Sequence, residues 1–293
     1  YEMMGASEEY KENYDKLLLS PGASPFSPPI DGINSEGIFT LRNVADTDAI
    51  KNYILSHNIK KAVIVGAGFI GLEMAENLHH LGAEVSIVEK LDQVMAPIDF
   101  SMAAIIHEHL LLKGVNLYLG KSVTAFKRNE TQIEITLDNN KTLNSDIVIL
   151  SIGVRPETKL AIDSGLKIGD TKGIWVNEFL QTSHNDIYAV GDAIEFPHPI
   201  TGKPWLNYLA NPANRQGRLV ADNMVLGNKE KYEGAIGTSI AKVFDMTVAA
   251  TGLSAKYLLS MNIPYKSSTT HSGSHAGYYP NAFNITIKIT FNP

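Results

Sequence analysis

The spacing of apolar and polar positions along this chain switches repeatedly between a strand-like run and a helical period, and the switches mark its elements. Lys61-Ala62-Val63-Ile64-Val65 is a short apolar run of the kind that makes a strand buried on both faces. A glycine-rich stretch, Gly66-Ala67-Gly68-Phe69-Ile70-Gly71, follows, and the pattern then predicts a helix from Leu72 to Leu81. Glu84 to Glu89 reads as a second strand that ends in an acid. Further on, a helix is predicted from about Phe100 to Lys113, with Ala103, Ile106, Leu110 and Leu111 near helical spacing. Strands follow at Val115–Leu119, Val123–Arg128, Gln132–Leu137 and Asp146–Ser151, the middle two as a hairpin-like insertion. Upstream, Asp15 to Ser20 reads as a strand closed by a Pro/Gly turn, and Asp46 is a plausible N-cap for a helix over Thr47–Ser56.

The second half repeats the theme. Residues 182–192 read TSHNDIYAVGD, a polar turn and then a buried run that delivers Gly191 and Asp192 to the edge of a parallel sheet. Asn211 is the expected N-cap of a long helix over Pro212–Val225, with Pro212 at its first position. Ile240–Phe244 and Thr247–Thr251 suggest an antiparallel sheet with a short helix starting at Ser254. Ile285 to Phe291 alternate like a terminal strand that lacks a partner, and the expectation is a piece of a longer protein.

Two stretches carry chemistry. A GxGxxG between strand and helix, with an acid at the end of the next strand, is the arrangement that binds a dinucleotide. Gly66 permits the tight turn, Gly68 lets a pyrophosphate approach, and Gly71 lets the helix pack against the strand. Phe69 and Ile70 lie within this turn, just before a helix whose first N–H groups and dipole face the phosphates. Glu89 would accept hydrogen bonds from the ribose hydroxyls and repel a 2′-phosphate, which favours NADH over NADPH, while Lys90 weakens that preference. At the second stretch, Gly191 has no Cβ to keep a ligand away, and an ionised Asp192 accepts from sugar-alcohol hydroxyls.

Composition narrows the field. The 293 residues are 44% hydrophobic and 19% charged, enough for more than one core. A net charge of −6 without a basic run argues against nucleic acid. No apolar stretch is long enough to cross a bilayer, the opening residues are polar and acidic, and the cytoplasm is the expected location. Zero cysteines exclude disulfides, thiolate metal sites and a cysteine nucleophile within these residues. The nine histidines form no metal-ligand spacing: His107 and His109 do not share a helix face, His79 and His80 diverge, and His271 and His275 have no nearby acid.

With these parts in order, the chain resembles the pyridine nucleotide–disulfide oxidoreductases, and within them the coenzyme A disulfide reductases and their rhodanese-fused relatives. The phrases YDKLLLSPGASP, FTLRNVADTDAI, PANRQGRLVADN and SHAGYYPNA carry the likeness, which covers nearly the whole chain. It implies an α/β fold with two Rossmann-like dinucleotide-binding domains and a truncated α+β dimerisation domain. The implied division is 1–34 and 156–230 for the FAD-binding domain, 35–155 for the NAD(P)H-binding domain and 231–293 for the interface domain. It also implies a homodimer with FAD and NADH or NADPH. Hydride would pass through the flavin to a CoA disulfide, a persulfide or a similar small thiol substrate.

The resemblance assigns residues as well. Ser20, Pro21 and Gly22 would run beside FAD and Gly153 beside the nicotinamide cofactor. Gly191 and Asp192 would hold the flavin's ribityl chain, and Pro212 and Ala213 would open a helix that points at the flavin. Glu73 would contact the nicotinamide end or a nearby lysine, and Tyr278 or Tyr279, with His275 nearby, would approach the partner's active-site cysteine or the CoA substrate. The first flavin glycine motif and the active-site cysteine are absent from residues 1–293, so the fragment alone is expected to be inactive in disulfide chemistry. Two alternatives stay open: an NADH oxidase or peroxidase on the same frame, and a non-catalytic NADH-binding redox module.

Overall fold

The computed structural model describes residues 11–293; the acidic opening of the chain lies outside the described residues. The described chain divides into two compact units, one made of residues up to Ala23 with Pro156–Ala235, the other of Ser24–Arg155 with Ile236–Pro293.

In the larger unit a five-stranded sheet runs Ile38–Thr40, Ile147–Leu150, Lys61–Val65, Glu84–Glu89, Asn116–Leu119 in spatial order. Every pairing in it is parallel, with Ile64 opposite Ile87 on one side and Ile149 on the other. The apolar run at 62–65 is therefore the sheet's centre, and its side chains are buried on both faces. Helices Val44–Ser56, Phe69–His80 and Phe100–Leu112 bury Ile50, Leu72, Leu78, Ile106 and Leu110 in one core with Ile64 and Ile87. A second core joins Val63 and Val148 to a three-stranded antiparallel sheet of Val123–Arg128, Ile133–Leu137 and Thr142–Ser145. The predicted hairpin insertion thus has a third strand, because the turn at Asn140 folds Thr142–Ser145 back against Ile133–Leu137.

Local boundaries differ from the pattern in instructive ways. The first of these helices starts three residues early: Asn43 is the N-cap and accepts from Asp46 N–H, while the Asp46 side chain accepts from Asn43 N–H. Asp46 is the third residue of a capping box and not the cap itself. Leu111, assigned to the apolar stripe, is exposed; Ala103, Ile106 and Leu110 are buried.

The chain beyond Ile236 packs onto this same unit. Strands Ser239–Val243 and Met246–Ala250 pair antiparallel, and Val243 and Phe244 join the core beneath the Phe69–His80 helix. Glu76, buried on that helix, accepts from Phe244 N–H (2.7 Å) and from Lys242 (2.9 Å). These contacts are why the stretch set apart as 231–293 groups, from Ile236 on, with residues 24–155. The final strand does have a partner: Asn284–Phe291 pairs antiparallel along its whole length with Lys266–Gly273. The alternation signalled a strand correctly, but the polar Ser/Thr-rich partner gave no apolar pattern to find.

In the smaller unit, Leu17–Leu19 pairs parallel with Ile187–Ala189. Helix Ala210–Leu226 buries Val220 against Leu180, Tyr188 and Ile194. It begins at Ala210 with Leu209 as an N-cap that makes no side-chain bond, so Asn211 is not the cap and Pro212 stands third, not first. A proline is tolerated there because first-turn N–H groups have no intrahelical acceptor. Among the described residues no helix is long and apolar enough to cross a membrane.

Asp99, at the start of the Phe100–Leu112 helix, ties the C-terminal stretch to that helix. Its carboxylate accepts from Ala255 N–H (3.1 Å) and Lys256 N–H (2.9 Å) and pairs with Lys288 at 2.8 Å. Burial would raise the pKa of this acid, but the Lys288 and backbone hydrogen bonds outweigh it and hold the group below the usual carboxylate range. Removing the carboxylate strands a largely buried ammonium, so Asp99→Ala is expected to lower stability by about 3 kcal/mol, read as a shift in the urea midpoint. Because the folded pKa is depressed, the wild-type contribution is present above about pH 4 and is lost as pH falls through the lower folded value. The variant's stability should therefore converge on wild type in acid.

Candidate functional site

The central strand Lys61–Val65 ends at the carboxyl edge of the parallel sheet, where α/β proteins bind ligands. Gly66 turns there with φ +100°, and a Cβ on it would run into the Ser151 carbonyl. At Gly71, a Cβ would meet the Gly66 carbonyl and the Ser151 hydroxyl. These two glycines answer to the protein's own packing. Gly68 does not: a Cβ on it would meet nothing within 4 Å. Gly68 is also the N-cap of the Phe69–His80 helix, with no side chain capping its first N–H groups. An open face over an uncapped helix N-terminus fits a pyrophosphate, and Phe69 and Ile70 supply the first turn that would meet it.

Glu89 ends the adjacent strand and is already engaged. Its Oε2 accepts from Ala67 N–H at 2.7 Å and its Oε1 from Leu91 N–H at 2.8 Å. The Ala67 carbonyl in turn accepts from Met95 N–H at 2.9 Å, and the buried Met95 holds a left-handed conformation, φ 52°. Beneath it the Gln93 side chain donates to the Ile98 carbonyl at 2.9 Å, and Val94 N–H donates to His107 Nε2 at 3.0 Å. Burial lowers the His107 pKa, in keeping with a neutral ring whose Nε2 accepts. Sequence reasoning missed this support, since a lone helical histidine carries no signal of a backbone donor thirteen residues away. Lys90 is exposed and makes no ion pair among the described residues. Glu73 is exposed on the helix, with no side-chain partner among the described residues; the buried acid of that helix is Glu76.

The second stretch is built on the same plan in the smaller unit. Val190 N–H donates to the Leu19 carbonyl (3.0 Å), continuing the parallel pairing, and Gly191 then turns with φ +78° into a single 3₁₀ turn, Gly191–Ala193. Gly191 N–H donates to the side-chain oxygen of the buried Gln216 at 2.7 Å. This ties the turn to the helix that carries Pro212 and Ala213, and Ala213 Cβ is the nearest atom to the open side of Gly191. Asp192 is half-buried, its pKa is raised by burial alone, and no protein donor reaches its carboxylate among the described residues. A desolvated acid without a partner is a socket for hydroxyl donors, and a ribityl chain has the chemistry to fill it. Tyr208, just before the helix, has its pKa raised by burial and by the Asp192 charge, so it belongs to the same neighbourhood. Neither Gln216 nor Tyr208 was singled out from the sequence, because a glutamine within a helix and a tyrosine just before one are unremarkable there.

The glycines of the two crossovers both adopt positive φ, 75° at Gly22 and 104° at Gly153. Gly22, after Ser20 and Pro21, accepts at its carbonyl from Glu157 N–H (2.9 Å), and Gly153 accepts from Phe26 N–H (2.9 Å). Tyr278 and Tyr279 stand at the tip of the C-terminal hairpin, 84% and 59% exposed, their rings 4.8 Å apart with His275 beside Tyr279. Among the described residues no group of three or more His, Asp or Glu is placed to hold a metal ion.

Two strand–glycine turns, each followed by or backed by an acid and a helix start, define a protein of the two-dinucleotide-binding α/β fold. The sequence profile of the pyridine nucleotide-disulphide oxidoreductases matches residues 3–217, and the chain belongs to that family. An NADH oxidase from Methanocaldococcus jannaschii is 38% identical over 97% of this chain and 63% of its own length. A coenzyme A disulfide reductase from Staphylococcus haemolyticus is 34% identical over 98% of this chain and 63% of its own length. Among solved structures, the reduced Bacillus anthracis CoADR-RHD superposes with a TM-score of 0.93 at 48% identity, covering 97% of this chain and 51% of that one. The chain thus spans less than two thirds of the relatives it matches.

The glycines separate packing from binding. Gly66→Ala should lose about 2 kcal/mol or more of stability from left-handed strain and the clash with Ser151, seen as a clear drop in melting temperature. Gly68→Ala should melt within a few degrees of wild type while its affinity for NAD⁺ falls; a large loss of stability there would refute the open face.

Proposed function

We propose that the intact protein is an FAD-dependent oxidoreductase that moves hydride from NADH or NADPH, by way of the flavin, to a CoA disulfide, a persulfide or a similar small thiol substrate. The observation that carries this reading is the pair of sockets: an open phosphate turn at Gly68 and a half-buried Asp192 whose carboxylate no donor reaches among the described residues. Nicotinamide and flavin supply the two-electron chemistry when bound, and the protein's part is to hold and orient them. Gly68, Phe69 and Ile70 would take the nicotinamide cofactor's pyrophosphate on backbone N–H groups. Asp192 would accept from the ribityl hydroxyls, and the first turn at Pro212 and Ala213 would present its dipole to the flavin ring. Ser20–Gly22 and Gly153, glycine turns in left-handed backbone, would let the chain pass close to each cofactor.

The thiol step needs a cysteine, and residues 1–293 contain none. The nucleophile would come from the part of the intact protein that lies outside these residues. Tyr278 and Tyr279, exposed at the hairpin tip, would meet the substrate of a second copy in a homodimer. The apolar positions Ile285, Ile287, Ile289 and Phe291 of the same hairpin, all partly open to solvent, support that assembly. The likeness to an NADH oxidase at 38% identity favours a second reading, in which oxygen replaces the sulfur substrate.

Purified full-length protein should carry FAD and, with NADH and CoA disulfide, release two thiols for each NADH oxidised. Oxygen consumption at one O2 per NADH (peroxide formed) or per two NADH (water formed), with CoA disulfide left intact, would favour the oxidase reading instead. Asp192→Ala in the same protein should weaken FAD retention at least tenfold, an energy of about 1.4 kcal/mol, measured by flavin fluorescence on dilution. Full retention would remove Asp192 from the flavin site.

A further inference from the structure

Glu89 stands where an acid at the end of the second strand selects the ribose, yet its carboxylate faces its own chain. One oxygen takes Ala67 N–H at 2.7 Å and the other takes Leu91 N–H at 2.8 Å, so both donors are backbone and both bonds are charge-assisted. Ala67 is the second residue of the glycine turn, and its carbonyl accepts from Met95 N–H at 2.9 Å. The residue between Gly66 and Gly68 is therefore held at its N–H by Glu89 and at its carbonyl by the segment that follows Glu89. Across the turn, Gly66 N–H donates to the Val88 carbonyl at 2.8 Å, and the Ser151 hydroxyl donates to the Gly66 carbonyl at 2.8 Å.

The holding segment is itself braced. The buried Met95 is kept in left-handed backbone while Gln93 Nε2 donates to the Ile98 carbonyl and Val94 N–H donates to His107. Left-handed backbone at a buried methionine persists only where its surroundings fix it. The bracket sets where Gly68, Phe69 and Ile70 present their backbone, and that backbone is common to every dinucleotide whatever its ribose carries.

We propose that Glu89 is a positioning residue that clamps the glycine turn through Ala67, so that its loss weakens cofactors with and without a 2′-phosphate alike. This rests on the reading of the Gly66–Gly71 turn as the nicotinamide cofactor site. An acid that acted only on the ribose would give the opposite sign for the phosphorylated cofactor, since removing a negative charge relieves repulsion of the phosphate.

The test uses the full-length protein with Glu89→Ala and, as a near-isosteric variant that keeps one acceptor, Glu89→Gln. NAD⁺ and NADP⁺, which bind without turnover, are titrated by calorimetry, and amide hydrogen exchange is followed at Ala67 in the ligand-free protein. The expected result in Glu89→Ala is a loss of about tenfold in affinity for both nucleotides, the scale of one charge-assisted hydrogen bond, with faster exchange at Ala67. Glu89→Gln is expected to lie between Glu89→Ala and wild type in both readouts, and it carries the test alone if the alanine variant does not fold. Unchanged or tighter NADP⁺ binding in a folded variant overturns the clamp, as does unchanged exchange at Ala67. Failure of wild type to bind either nucleotide would instead sink the assignment of the site and is told apart by that control.

Discussion

The close approach of the Gly66 turn to Ser151 is the constraint on which the rest of the larger unit depends. Two strands that are far apart in sequence, Lys61–Val65 and Ile147–Leu150, lie side by side, and the turn that leaves one must slip past the residue that leaves the other. Only a residue without a Cβ fits there, and only left-handed backbone directs the next residues into the helix. Gly71 then meets the Gly66 carbonyl from the helix side, so helix, turn and two strands share one point of contact. With that point fixed, the helix N-terminus faces outward at the sheet edge, and Gly68 is left as the open position.

The two proposed sockets show different ways of leaving a polar group ready for a ligand. At Gly68 the readiness is an absence of bulk over backbone donors that no side chain caps. At Asp192 it is an acid partly withdrawn from water and given no donor among the described residues, which burial alone pushes toward its protonated form. Such a group is costly until a hydroxyl reaches it, so binding and the removal of that strain are one event. Glu89 is the contrast, an acid each of whose oxygens already accepts a backbone N–H within its own unit.

How much of this was legible in the residues depended on the kind of signal. Strand 61–65, the glycine turn, strand 84–89 and the Gly191-Asp192 turn were all readable, because steric limits on glycine and burial of apolar runs act over a few neighbouring residues. The capping of the helix at 44–56 was misread by a few residues, since Asn43 and Asp46 are both good cap residues and only geometry distinguishes the cap from the third position. The partner of strand 284–291 escaped notice because Lys266–Gly273 is exposed and polar along its length and leaves no alternation to detect.

The sequence by itself determined the parallel α/β architecture, the two glycine turns with their acids and the family, because each rests on short-range sterics and hydrophobic period. Tertiary structure alone decided where long-range partners fall. It turned Glu89 back onto Ala67, set His107 beneath Val94, engaged Gln216 with Gly191, and brought Phe244 and Lys242 to Glu76. Each is a hydrogen bond whose second member is chosen by how the strands and helices stack. No spacing along the chain encodes that choice.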